Sequence, residues 1–202
     1  MVGVIAVLGT ILALVLVPLA RADGDPASDV LYGGNLFPSY DSGISTAKLE
    51  ALKATLDASK KAGYEIRVAV IAKQDDLGSV TSLWAKPKDY ARFLGTELGI
   101  VYKKPLLVVM PNGVGYYRAH YDSAPAYAAL RTIRSGHGDQ LAQAATDSIV
   151  ILARQAGHPF NPIVAASSPS SSRTPLLIGG GAAVVIAGVL VALGLLWRRR
   201  RP

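Results

Sequence analysis

Acidic side chains carry the most concentrated chemistry in this chain. Asp75 and Asp76 stand side by side after one apolar run, Asp41 precedes a leucine-bearing stretch, Asn112 follows a second apolar run, and Asp139 closes the turn "SGHGD". Oxygen ligands converging without sulfur suit a hard cation such as Ca²⁺. Asp41, Asp75 and Asp76 head this candidate set, and Asn112 and Asp139 join it. The 202 residues include no cysteine, which excludes disulfides, thiolate metal sites and a cysteine nucleophile. Neither EF-hand spacing nor a His-Glu-x-x-His pair is present. Asp139 also reads as the cap of the helix that follows it, and His137, between two glycines, as a turn residue.

Other chemistry is sparser. Ser79, Thr81 and Ser82 are loop hydroxyls with no assignable base. Arg118, His120 and His158 fall elsewhere, so no nucleophile, base and orienting group assemble into a hydrolytic triad, and no catalytic residue is assigned. "GGN" at Gly33 to Asn35 is not followed by Gly-Lys-Ser/Thr and is no phosphate loop. In "GYYRAHY", alternation turns some of Tyr116, Tyr117 and Tyr121 inward and leaves one or two outside, as a partner surface would need.

These residues must be positioned by a small sheet. Ser45 is an N-cap for a helix over residues 45–62, with Leu49, Leu52 and Leu56 on one face and Gly63 at its stop. "YEIRVAVIA", residues 64–72, is apolar on both faces, as a central strand is. Pro87 opens a helix over 87–98 with Tyr90, Phe93, Leu94 and Leu98 turned inward. A second buried strand over 105–110 is followed by the turn signal Asn112-Gly113 and an antiparallel strand over 114–118. Helices over 124–134 and 139–155 complete an α/β domain, a small mixed sheet with helices on both faces. The helix joining the two buried strands makes them parallel, and ligands bind outside the carboxyl ends of such strands. Asp75, Asp76 and Asn112 lie at that edge, and chain alternation brings Asp41 and Asp139 back to it.

The run "SYDSGIS", the leucine-bearing helix, "GYEIRVAVIA", "DYARFLGTELGI" and "KPLLVVMPNGVGYYR" resembles the TPM domain, an extracytoplasmic α/β module shared by bacterial membrane proteins and a thylakoid-lumen photosystem II repair protein. The likeness covers residues 29–156. Asp41 stands where the family has an acidic residue before its first helix, and Tyr90-Ala91 where it has a Tyr-Ala pair. The resemblance implies a TPM-like fold, calcium binding, weak acid phosphatase activity in some members, and assembly or repair of membrane complexes. It also implies the common arrangement of signal peptide, domain and carboxyl-terminal span.

The chain's two ends agree with that arrangement. Residues 176–197 hold no charge, and these 22 residues make a helix of roughly 33 Å, enough to cross the hydrocarbon core. Trp197 and Arg198, Arg199, Arg200 and Arg201 follow as an interfacial anchor. Carrying four arginines across would cost about 10 kcal/mol, so this tail, residues 198–202, is expected on the cytoplasmic side, bound to membrane lipid rather than to nucleic acid. Residues 1–22 form an apolar segment ending in Ala20-Arg21-Ala22, read as a signal peptide or an uncleaved anchor. Either way the domain lies outside the cell membrane. Residues 157–175 are a Ser/Pro-rich tether. With Arg21 and the four terminal arginines set aside, 16 of the 21 basic residues remain against all 14 acidic ones, so the outer part is nearly neutral.

The function expected is a membrane-anchored module whose outer domain binds a membrane or extracytoplasmic protein or assembles a complex. A divalent-cation-dependent phosphatase using the acidic edge is the alternative. A third reading is a structural protein whose span forms a homo-oligomer through Gly179, Ala183 and Ala187.

Overall fold

The computed structural model describes residues 24–162. Both apolar runs, most of the tether and the anchor residues Trp197 to Arg201 lie outside them. Among the described residues no helix is long and apolar enough to cross a membrane.

The sequence sets the elements through local signals. Helix α1, Pro26–Gly33, starts where Asp25 accepts a hydrogen bond from the Ala27 amide and Pro26 takes the first helical position. A two-residue strand, β1 (Leu36–Phe37), follows. Helix α2, Thr46–Lys61, is capped by the Ser45 hydroxyl, which accepts from the Lys48 amide. Strand β2, Arg67–Val70, leads through a 3-10 segment, Gln74–Leu83, into helix α3, Pro87–Glu97. After a 3-10 turn, Leu98–Ile100, come β3 (Leu106–Met110) and β4 (Gly113–Tyr117), then α4 (Ala124–Leu130) and α5 (Asp139–Gln155).

The four strands lie in sequence order. β1, β2 and β3 are parallel, with Val70 opposite Val109, and β4 runs antiparallel to β3, with Met110 opposite Gly113. The hairpin therefore turns on Pro111 and Asn112, one residue earlier than the Asn112-Gly113 signal suggests. Because side chains alternate across a sheet, Val68, Val70, Leu107 and Val109 face α2, α4 and α5, while Ala69, Ile71, Val108 and Met110 face α1 and α3. Each large aliphatic chain so buried contributes about 1.5 to 3 kcal/mol. The expected mixed sheet with helices on both faces is thus observed, and α1 and β1 add to it elements that the sequence reading did not contain.

Two glycines let α3 lie against β4. A Cβ at Gly115 would strike the Pro87 carbonyl, and one at Gly95 would strike the Tyr117 ring. The open edge of β4 is closed by a side chain: the Tyr116 amide donates to the Tyr127 hydroxyl at 3.0 Å, and that hydroxyl donates to the Tyr116 carbonyl at 2.9 Å. One phenol thus occupies the two outward backbone groups of Tyr116, which a further strand would need there.

Candidate functional site

The edge at the carboxyl ends of β2 and β3 holds the acidic residues, and most of them already have partners. Asp76 turns back so that its Oδ2 accepts from the Ala72 and Lys73 amides at 2.8 and 3.0 Å, which fixes the loop leaving β2. Asp41 pairs with Lys73 at 2.7 Å, and that ammonium holds its carboxyl below the usual carboxylate range. Asp75 is exposed. Asn112 donates from Nδ2 to the Ala85 carbonyl at 2.6 Å, bracing a residue held at φ +59°. Asp139 does not cap its own helix. Gly138 holds that position, and Asp139 instead accepts from the Ser45 amide and hydroxyl at 2.6 and 3.1 Å, tying the start of α5 to the start of α2.

The expected convergence is corrected accordingly. Asp41, Asp75, Asp76, Asn112 and Asp139 share an edge by topology, yet the contacts of Asp41, Asp76, Asn112 and Asp139 run to a lysine, backbone amides, a backbone carbonyl and a hydroxyl rather than toward a common point. Among the described residues no group of three or more His, Asp or Glu side chains is placed to hold a metal ion.

The opposite edge, at the starts of β2 and β3 and the end of β4, carries two adjoining clefts of about 240 and 340 Å³. They share Tyr64, Arg118 and Ala156. Local chain chemistry builds this edge. Helix α2 ends with Gly63 at φ +92°, whose amide donates to Lys60, and with the Tyr64 amide donating to Ser59. Helix α5 ends in the same way, with Gly157 at φ +82° donating to Arg154 and the His158 amide to Ala153. Both are Schellman caps, in which glycine adopts the left-handed conformation without a side-chain penalty. The residue after each glycine is thereby aimed at the same place: the Tyr64 and His158 rings lie 6.4 Å apart. His158 Nδ1 stands 3.0 Å from the Ala62 carbonyl, and its ring covers Gly63 so closely that a Cβ there would come within 2.9 Å of Nδ1.

Arg118 sits between the clefts, just past β4. Its guanidinium lies 3.7 Å over the Tyr121 ring. Among the described residues its buried Nε has no hydrogen-bond partner and its guanidinium makes no ion pair. The neighbouring charges are engaged: Lys104 with Glu65 at 2.7 Å, and Asp122 with the Ala124 amide at 2.9 Å. Burial, followed by the adjacent Tyr116, pushes the Tyr64 phenol well above its ordinary value, so it stays a neutral hydroxyl. Chemically this edge can stack, donate hydrogen bonds and receive an anion. Among the described residues lining it there is no activated nucleophile.

The sequence reading noticed only part of this site. Tyr116 is buried, Tyr117 faces the other side of the sheet, and Tyr121 is 60% exposed. Arg118 joins no triad and so carries no catalytic signal in the sequence, and Tyr64 stands at the start of the strand-like run 64–72. His158 falls in the stretch read as a tether. The signal available was the matched pair Ala-Gly-Tyr and Ala-Gly-His, each directly after a helix.

No protein-family model, no curated protein and no solved structure matches the chain.

Proposed function

We propose that this chain is a membrane-anchored binding module whose α/β domain engages a partner protein outside the membrane through the clefts around Arg118. One observation carries the reading: Tyr64, Tyr116 and Tyr121 lie around a guanidinium that forms no ion pair with a carboxylate among the described residues. Tyrosine and arginine are the residues that most often anchor protein interfaces, because they combine large contact area with directed hydrogen bonds. The membrane anchor rests on the uncharged run 176–197 and the arginines after it. The TPM likeness is retained as the family proposal, on the order of elements from Ser45 to Tyr117. The acidic edge gives less support to phosphatase chemistry, since Asp41 and Asp76 are engaged in holding the loop after β2.

The test is photo-crosslinking in intact membranes from a benzophenone amino acid at Tyr121, with the same label at exposed Lys53 on α2 as the control. The expected result is one protein captured from position 121 and not from 53, and captured again when the label is placed on that protein. Identical patterns from both positions would overturn the reading. So would turnover of a phosphate ester by the purified chain with Ca²⁺ or Mg²⁺ that Asp75→Asn with Asp76→Asn abolishes.

A further inference from the structure

We infer that the group received by Arg118 is a single carboxylate on an otherwise apolar peptide segment of a partner protein; the inference rests on the binding-module reading and names the chemistry of its ligand. The guanidinium carbon lies 3.7 Å from the centre of the Tyr121 ring, a cation–π contact that restrains the group. With Nε buried and unpartnered, the two terminal nitrogens are the donors left for a ligand. Two parallel N–H bonds in one plane match the two oxygens of a carboxylate.

The surrounding charges select a monoanion. Lys104 is paired with Glu65, and Asp122 stands on the rim with its Oδ1 on the Ala124 amide. A doubly charged phosphate, or the face of an anionic bilayer, would bring further negative charge against Asp122 and Glu65. A lone carboxylate meets Arg118 with less of that opposition, since the repulsion scales with the ligand's charge. On the Tyr121 side of Arg118 the remaining walls are mostly apolar or aromatic, Tyr64, Tyr116, Pro125, Ala126 and Leu152, with Gln155 the polar exception. They suit hydrophobic neighbours of the acidic residue. The half-buried guanidinium gains more from an acceptor on its terminal nitrogens than an exposed one would, because water screens it less.

The experiment uses the full chain in discs of zwitterionic phosphatidylcholine. Random heptapeptides displayed on phage are selected on the discs, and the best binder is synthesised with its acidic residue intact or amidated. Selected sequences should carry one Asp or Glu beside apolar or aromatic residues. Arg118→Gln should weaken the acidic peptide about ten- to a hundredfold, the range for losing a charged hydrogen-bond partner. The amidated peptide should bind the parent chain as weakly, and combining both changes should add little, as a double-mutant cycle requires of a direct pair. Arg118→Lys should restore only part of the affinity. Tyr121→Leu, at an exposed position, gives a second reading should Arg118→Gln fail to fold; it should weaken the acidic peptide and leave the amidated one unchanged. Peptides without acidic enrichment, or an acidic binder indifferent to both substitutions, would overturn the inference. So would dioctanoyl phosphatidylglycerol occupying the site when no peptide does. A partner captured from Tyr121 whose binding ignores Arg118 would refute the carboxylate and leave the binding module standing.

Discussion

Tyr90 donates its hydroxyl to Asp25 across 2.6 Å inside the protein, joining the first turn of α3 to the residue that caps α1. Asp25 is 3% exposed and Tyr90 fully buried. Among the described residues the second carboxyl oxygen, Oδ2, has no partner. Burial is therefore the dominant influence on this acid. It lifts the pKa from 3.8 to about 6, against the hydrogen bonds from Tyr90 and the Ala27 amide and with some help from Glu97 and Asp29.

A pH dependence follows from that shift. The folded state holds the proton more tightly than the unfolded chain, so this group's stabilisation is complete below about pH 3.8 and is lost as pH rises through about 6. The difference amounts to roughly 3 kcal/mol. Asp41 and Glu65 are held below the usual carboxylate range by Lys73 and Lys104, so their contributions are lost only at lower pH. Urea unfolding of the full chain in neutral detergent should thus show greater stability at pH 5 than at pH 7.5. Asp25→Asn keeps the cap and the Tyr90 bond and should remove this part of the slope. Tyr90→Phe should cost more at pH 7.5 than at pH 5, since the hydroxyl favours the charged carboxylate. Equal slopes in the parent chain and Asp25→Asn would refute the assignment.

The carboxyl end of α5 is a second test. Gly157, His158 and Phe160 lie in the stretch read from sequence as tether, yet the Schellman cap, the Ala62 contact and the packing of Phe160 against the core bind them to the domain. A soluble fragment of residues 23–156 should be roughly 2 to 3 kcal/mol less stable than one of residues 23–162, from the lost cap, hydrogen bond and partial burial of a phenyl ring. Matching unfolding midpoints would show that these contacts contribute nothing.

How much of this was legible depends on where the signals lie. α2 was readable because a cap, an apolar period and a terminal glycine agree over more than four turns of chain, and α5 through its apolar period, although the cap expected of Asp139 is not formed. β2 and β3 were readable because β-branched runs between turn residues have one reasonable use. α1 has a proper start in Asp25 and Pro26, but it is eight residues long and follows directly on a segment that reads as a processing site. β1 has two residues and no period to detect. The acidic edge was placed correctly by strand order, whereas the partners of Asp76 and Asp139 depend on loop conformation that spacing does not reveal. The clefts escaped because Tyr64, Arg118 and His158 lie far apart in sequence and meet only through two helix ends and the turn out of β4.

The acidic edge supplies the last prediction. Asp76 has one oxygen engaged by two amides and Asp41 is neutralised by Lys73, so a divalent cation arriving there must displace bonds that already hold the loop. A ligand stabilises the folded state only to the extent that it binds that state in preference to the unfolded chain. Millimolar Ca²⁺, Mg²⁺ or Mn²⁺ should therefore leave the melting temperature of the full chain unchanged. Asp76→Ala should destabilise it by about 1 to 3 kcal/mol, the cost of leaving two partly buried amides unpaired, with or without the metal. Asp75→Asn, at an exposed position without these contacts, should have an effect within about 0.5 kcal/mol. Asp41→Asn should be similarly mild, because an exposed ion pair contributes little. A rise of several degrees with Ca²⁺ that Asp75→Asn and Asp76→Asn together abolish would reverse the conclusion, since it would mean that the carboxylates abandon their amide and lysine partners to surround the ion.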